Sequence, residues 1–203
     1  VWSIIEAAGW PIWTIVAASV VSLAIILERL FSLRTSLVAP SGLLEQIVAA
    51  YRQSGTDRAQ ALALENRSLL GRLFSAGLGN ADGSRDIMKD AIEDEGRVVV
   101  FQLERFLTTL GSIAAMAPLL GLLGTVVGMI ELFGSQTSAG TNPHVLAHGI
   151  SVALYNTAFG LIVAIPSMIF YRYFRARVDG LLVEMESQAV KLVEVIHGER
   201  RQG

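Results

Sequence analysis

Three long stretches of this 203-residue chain contain no Asp, Glu, Lys or Arg. Ala7 to Leu27 is 21 residues long, 25 residues separate Arg105 from Glu131, and 23 lie between His148 and Arg172. A helix of about 20 apolar residues crosses a bilayer, so each stretch is predicted to be a membrane span and the chain an all-α polytopic membrane protein. The first stretch is long for the core of a signal peptide. It is followed by Glu28-Arg29 rather than a cleavage site and reads as a retained anchor. Trp2, Trp10 and Trp13 at one end suit an interfacial aromatic belt.

Positive charge fixes the expected orientation. Residues 28–111 carry ten Lys and Arg and residues 172–203 carry six, which together are all sixteen in the chain. By the positive-inside rule the N-terminus and the loop between the second and third spans face outward. The predicted segments are a tail and first span over 1–27, a cytoplasmic helical region over 28–105, a second span over 106–133, an outer loop over 134–148, a third span over 149–171 and a cytoplasmic helical tail over 172–203.

The cytoplasmic parts read as continuations of the spans. From Ser84, a candidate N-cap, to Phe133 only Gly96 and Gly111 interrupt before Pro118, and Ile87, Ala91, Val98, Phe101 and Arg105 keep helical spacing. A near-continuous helix of about 50 residues would be about 75 Å long, projecting far beyond the membrane. Val178, Leu181, Leu182, Met185, Ala189, Leu192, Val193 and Ile196 recur at intervals of three and four in the tail. Between them, Leu43–Arg52, Asp57–Asn66 and Ser68–Ala76 read as short amphipathic helices, with a loop over Gly79–Gly83.

Much chemistry is excluded. With no cysteine, thiol nucleophiles, disulfides and thiolate metal sites are ruled out. Two lysines and a net charge of −2 leave no basic run for nucleic acid. No nucleotide-binding or nucleophile-elbow motif is present, and Gly77-Leu78-Gly79 follows no strand, so neither an enzyme nor a cofactor is expected. His144 and His148 stand four apart but lack a matching carboxylate, and no metal site is assigned to them.

The second and third spans each carry a row of small and polar residues. At 100° per residue Ala117, Gly121, Gly124, Thr125 and Gly128 share one side of the second span beside Pro118. Ala153, Asn156, Thr157, Gly160, Ala164 and Ser167 form a matching stripe on the third. Such faces either pack helices closely, as in a non-conducting scaffold, or line a constriction that accommodates a proton, a water file or another helix, with Thr125, Thr157 and Asn156 as the candidate lining residues. The uncharged runs of the spans offer no Asp, Glu, Lys or Arg, so a titrating carboxylate midway along such a path would belong to another chain.

Ala117-Pro118-Leu119-Leu120-Gly121-Leu122-Leu123-Gly124-Thr125-Val126-Val127-Gly128-Met129, followed by Ala153-Leu154-Tyr155-Asn156-Thr157-Ala158-Phe159-Gly160-Leu161-Ile162-Val163-Ala164-Ile165-Pro166, resembles the ExbB/TolQ/MotA proton-channel family. The resemblance covers essentially the whole chain. Three spans fit the ExbB and TolQ branches better than the four-span MotA branch. It implies a bacterial inner-membrane protein with a periplasmic N-terminus and a cytoplasmic C-terminus. It further implies five copies around the single helices of two ExbD/TolR-like subunits, with proton flow driving a TonB- or TolA-like protein, the ExbB-type role being favoured. Thr125 and Thr157 match the family's threonines that face the partner's membrane aspartate. Val152 stands where many ExbB proteins carry glutamate, which leaves the proton-carrying carboxylate to the partner.

Overall fold

A computed structural model describes residues 9–134 and 143–198. Trp2, the outer-loop positions 135–142 and the tail beyond Gly198 lie outside the described residues. Those described form helices α1 (Pro11–Ser32), α2 (Thr35–Val38), α3 (Leu43–Ser54), α4 (Thr56–Glu65), α5 (Leu69–Leu78), α6 (Arg85–Glu104), α7 (Leu107–Gly134) and α8 (Pro143–Ile196). Three helical stretches are long and apolar enough to cross a membrane; they contain the second and third uncharged runs and the first from Pro11 onward. The chain divides into two compact units, one built from residues 1–28 and 106–173, the other from 29–105 and 174–203.

In the first unit α1 and α8 both open on proline, whose fixed φ and missing N–H suit a first helical position. Thr14 adds a hydrogen bond to the Pro11 carbonyl at 2.7 Å. α8 already begins within the 134–148 segment, at Pro143. Proline in its N-terminal role explains the earlier start.

The second unit is a helical cluster. The three short helices appear as α3, α4 and α5 with ends moved by one or two residues. Gly55, at φ 81°, takes the left-handed turn that separates α3 from α4. Ser68 caps α5 by accepting from the Gly71 N–H at 3.0 Å, and Ser84 caps α6 by accepting from Ile87 at 3.4 Å. Leu70 and Phe74 of α5 are fully buried, each burial stabilising by about 1.5–3 kcal/mol. From α8, Phe174, Val178, Leu181, Met185, Ala189 and Leu192 join the buried set. Arg72 pairs with Glu95 at 2.5 Å and Arg175 with Glu104 at 2.9 Å.

The helical spacing read over α6 holds, and one expectation, the near-continuous helix, is corrected. Its buried row is Met88, Ile92, Val99 and Leu103, whereas Ile87, Val98 and Phe101 are exposed, Phe101 by 75%. Both rows satisfy helical periodicity, and the neighbours that α6 packs against decide between them. The near-continuous helix from Ser84 also breaks, at Arg105–Phe106 rather than at a glycine, with Arg105 at ψ 135° and Phe106 at φ 64°. A left-handed phenylalanine costs about 1–3 kcal/mol. Compensation comes from Arg29, 3% exposed, whose guanidinium donates to the Gln102 and Leu103 carbonyls at 3.4 and 3.2 Å. In an unbroken helix those carbonyls would accept from residues 106 and 107.

Candidate functional site: the seam between α7 and α8

The two rows of small residues meet each other. They pair antiparallel, and the contact is so close that a Cβ on Gly160 would stand 2.6 Å from the Ala117 carbonyl oxygen. A Cβ on Gly121 would stand 2.8 Å from the Asn156 carbonyl oxygen and 3.0 Å from the Thr157 Cα. Gly128 faces the Ala153 methyl group at 3.2 Å by the same measure. Backbone thus lies on backbone, where dispersion and hydrogen bonding replace the hydrophobic drive that lipid cannot supply. Ala117, Gly121, Gly124, Ala153, Gly160 and Ala164 are buried, while Pro118 is half-buried.

Asn156 sits inside this seam. It is 1% exposed, and a Cβ on Gly124 would come within 2.7 Å of its Cβ and Cγ atoms. The side chain is thus covered by α7 of its own chain.

Thr125 and Thr157 are different, being half-buried. Their hydroxyl oxygens are 2.9 Å apart. Thr157 Oγ1 reaches the Gly121 carbonyl at 3.2 Å, and Thr125 Oγ1 reaches the carbonyls of Leu122 and Gly121 at 2.8 and 3.2 Å. Two hydroxyl protons thus share two carbonyl acceptors and each other's oxygen. Either hydroxyl can donate across the pair while the other donates to backbone. Beside the pair an open apolar groove of about 520 Å³ runs along α7 over Val126, Met129, Ile130 and Phe133.

Ser167 joins α1 instead of α7. Its hydroxyl is 2.6 Å from that of Ser22 and 2.7 Å from the Val163 carbonyl, both serines being buried. Ser167 donates to Val163 when Ser22 donates to Ser167. Sequence reasoning missed Ser22; its signal was a hydroxyl placed between Val21 and Leu23 in an apolar run. It also missed the contact of Gly111 with the Tyr171 ring, where a Cβ would approach to 3.0 Å. Among the described residues no cluster of three His, Cys, Asp or Glu is placed to hold a metal ion.

Comparison with known proteins assigns this arrangement to a family. The profile of the MotA/TolQ/ExbB proton channel family matches residues 65–187, which include the whole seam. The chain is 30% identical over 183 residues to biopolymer transport protein exbB1 of Vibrio cholerae, covering 88% of this chain and 79% of that one. It is 31% identical over 162 residues to the putative biopolymer transport protein ExbB-like 3 of Synechocystis, with 78% and 77% covered. Tol-Pal system protein TolQ of Pseudomonas aeruginosa is 28% identical over 218 residues, with 97% and 92% covered. With three apolar helices, two of them joined along rows of small residues, this chain belongs to the MotA/TolQ/ExbB proton channel family.

Proposed function

We propose that the chain is the large subunit of a proton-motive-force-driven motor of the inner membrane, of ExbB type. It works with a single-span ExbD-like subunit that supplies a membrane aspartate and with a TonB-like protein, energising outer-membrane transport. The Thr125–Thr157 pair carries this reading: two half-buried hydroxyls, 2.9 Å apart, in a seam whose other polar span residue, Asn156, is enclosed. A hydroxyl both donates and accepts, so the pair suits either protonation state of a carboxyl on the partner helix. An ionised carboxylate is disfavoured in a low-dielectric path and crosses neutral. Each proton descending about 100 mV yields about 2.3 kcal/mol, enough to bias a step of similar size.

The distribution of the sixteen Lys and Arg supports a periplasmic N-terminus and outer loop, with 28–105 and 172–203 cytoplasmic. Five copies in a ring around the partner helices are proposed, with the apolar groove beside Thr125 turned to a helix of another chain. A TolQ-type role with TolR- and TolA-like partners is the second reading, favoured by the TolQ relative that aligns with 97% of the chain. Co-purification of a TonB-like or a TolA-like protein separates the two. Proton uptake into vesicles tests the function itself: the chain with its small subunit should conduct and the chain alone should not. No conduction in either case would make the chain a scaffold.

A further inference from the structure

In the second unit, the segment that follows the first charge-free run meets the segment that follows the third. Arg177 of α8 donates a hydrogen bond from Nη2 to Thr35 Oγ1. Arg34, the residue before Thr35, holds its guanidinium 4.8 Å from the centre of the Phe31 ring, a cation–π contact. Both arginines are exposed. Among the described residues neither is ion-paired, whereas Arg175 takes Glu104 and Asp179 at 2.9 and 3.8 Å. Thr35 accepts from Arg177, and its own proton has no acceptor among the described residues. Two guanidiniums and a hydroxyl proton therefore offer hydrogen-bond donors at one place with no anion to receive them.

We propose that Arg34, Thr35 and Arg177 bind the phosphodiester of an anionic phospholipid whose apolar part covers Leu30 and Phe31. Those two residues, 41% and 58% exposed, adjoin the donors on α1, so the ligand that fits carries hydrocarbon as well as negative charge. Arg34 stands seven residues beyond Leu27 and Arg177 six beyond Tyr171, the last residues of their charge-free runs. Headgroups occupy about 5–7 Å beyond the hydrocarbon on each side of a bilayer, and an arginine reaches back to them along its aliphatic stem. A guanidinium stacked on a ring keeps its N–H edge free, so Arg34 can hold two phosphate oxygens while Thr35 donates to a third. A zwitterionic lipid would bring its own cation against the two guanidiniums, which selects for a headgroup with net negative charge. The site does not depend on the proton-channel reading of the Thr125–Thr157 pair.

The test measures lipid retention by the full chain in detergent, with phosphatidylglycerol, phosphatidylcholine or inorganic phosphate added and native mass spectrometry as the readout. Phosphatidylglycerol should be retained in preference to the other two. Arg34→Gln and Arg177→Gln should each lower its retention about fivefold, the worth of one basic side chain near an anionic surface. Arg34→Lys keeps the charge but loses the forked N–H edge, so retention should still fall, and Thr35→Val should lower it where Thr35→Ser does not. Arg58→Gln with Arg97→Gln removes the same charge from exposed positions elsewhere in the unit and should leave retention unchanged. Wild-type retention in the Arg34→Gln, Arg177→Gln double variant overturns the site, and an equal loss in the Arg58, Arg97 control reduces it to net charge. Inorganic phosphate that binds as tightly as the lipid would make it a phosphate site and overturn the lipid. The chain has no cysteine, so a spin label can be placed on Leu30→Cys alone. In a bilayer that label should be reached by dissolved oxygen, and a label shielded from it would mean that protein covers this surface, which also overturns the lipid.

Discussion

Gly160 rests so closely on Ala117 that a single methyl group at 160 would stand 2.6 Å from the Ala117 carbonyl oxygen. That oxygen belongs to a helix backbone and cannot rotate away. Gly160→Ala and Gly121→Ala should each force α7 and α8 apart and destabilise the protein by about 1–3 kcal/mol, the usual cost of overpacking. Gly180 provides the control, because nothing lies within 4 Å of the position its Cβ would take. Gly180→Ala should stabilise α8 by about 0.5–1 kcal/mol through helix propensity. Thermal unfolding in detergent, run on the three variants together, checks the opposite signs.

Thr157→Val and Thr125→Val keep nearly the same volume but remove the hydroxyls. Both should abolish or strongly reduce proton uptake and leave the native oligomer mass unchanged. Thr157 should be the more sensitive, since it bonds the backbone of the opposite helix as well as Thr125. Val152→Ala should have little effect on uptake.

How far the sequence led is clearest in this seam. The 100° helical wheel places Ala117, Gly121 and Gly124 on one face and Ala153, Asn156 and Gly160 on another, and charge-free length makes both helices spans. What the wheel cannot say is which face meets which. Asn156 could be read as needing another chain, and only the placement of α7 shows Gly124 leaving room for it. The same gap explains α6, where two apolar rows one residue apart are equally periodic. It explains the break at Phe106 too, because a left-handed phenylalanine has no local sequence signature and is held by Arg29, more than seventy positions away.

Arg29 should therefore matter more than a surface arginine. Removing its guanidinium in Arg29→Leu leaves the Gln102 and Leu103 carbonyls without that donor and should cost about 1.5–3 kcal/mol, the range for hydrogen bonds to charged groups. Chemical denaturation gives the loss. Arg58→Leu, whose ion pair with Glu65 is well exposed, should change stability by about 1 kcal/mol or less.

Orientation is open to a direct test. A cysteine replacing Ser138 should react with an impermeant maleimide added to the periplasmic side of spheroplasts. One replacing Asp82 should react only after permeabilisation, a choice that leaves the Ser84 cap of α6 in place. Labelling in the reverse sense would reject the charge-based topology.

The purified protein should run as an oligomer. Proteoliposomes are not needed for this measurement: native mass spectrometry from detergent should give a multiple of the chain mass, five being expected. A mass of one chain would remove the ring from the proposal.

The fit of Asn156 against Gly124 has an evolutionary side. Because a Cβ at 124 would occupy space held by the amide of 156, neither position is free to drift alone. Among descendants of a common ancestor, a larger residue at 124 should occur with a smaller one at 156, and the Gly124–Asn156 combination should be inherited as a unit. A Gly124→Ala lineage should thus be recoverable by selection for a second change at 156, making this contact a place where the history of the seam is written in pairs of substitutions.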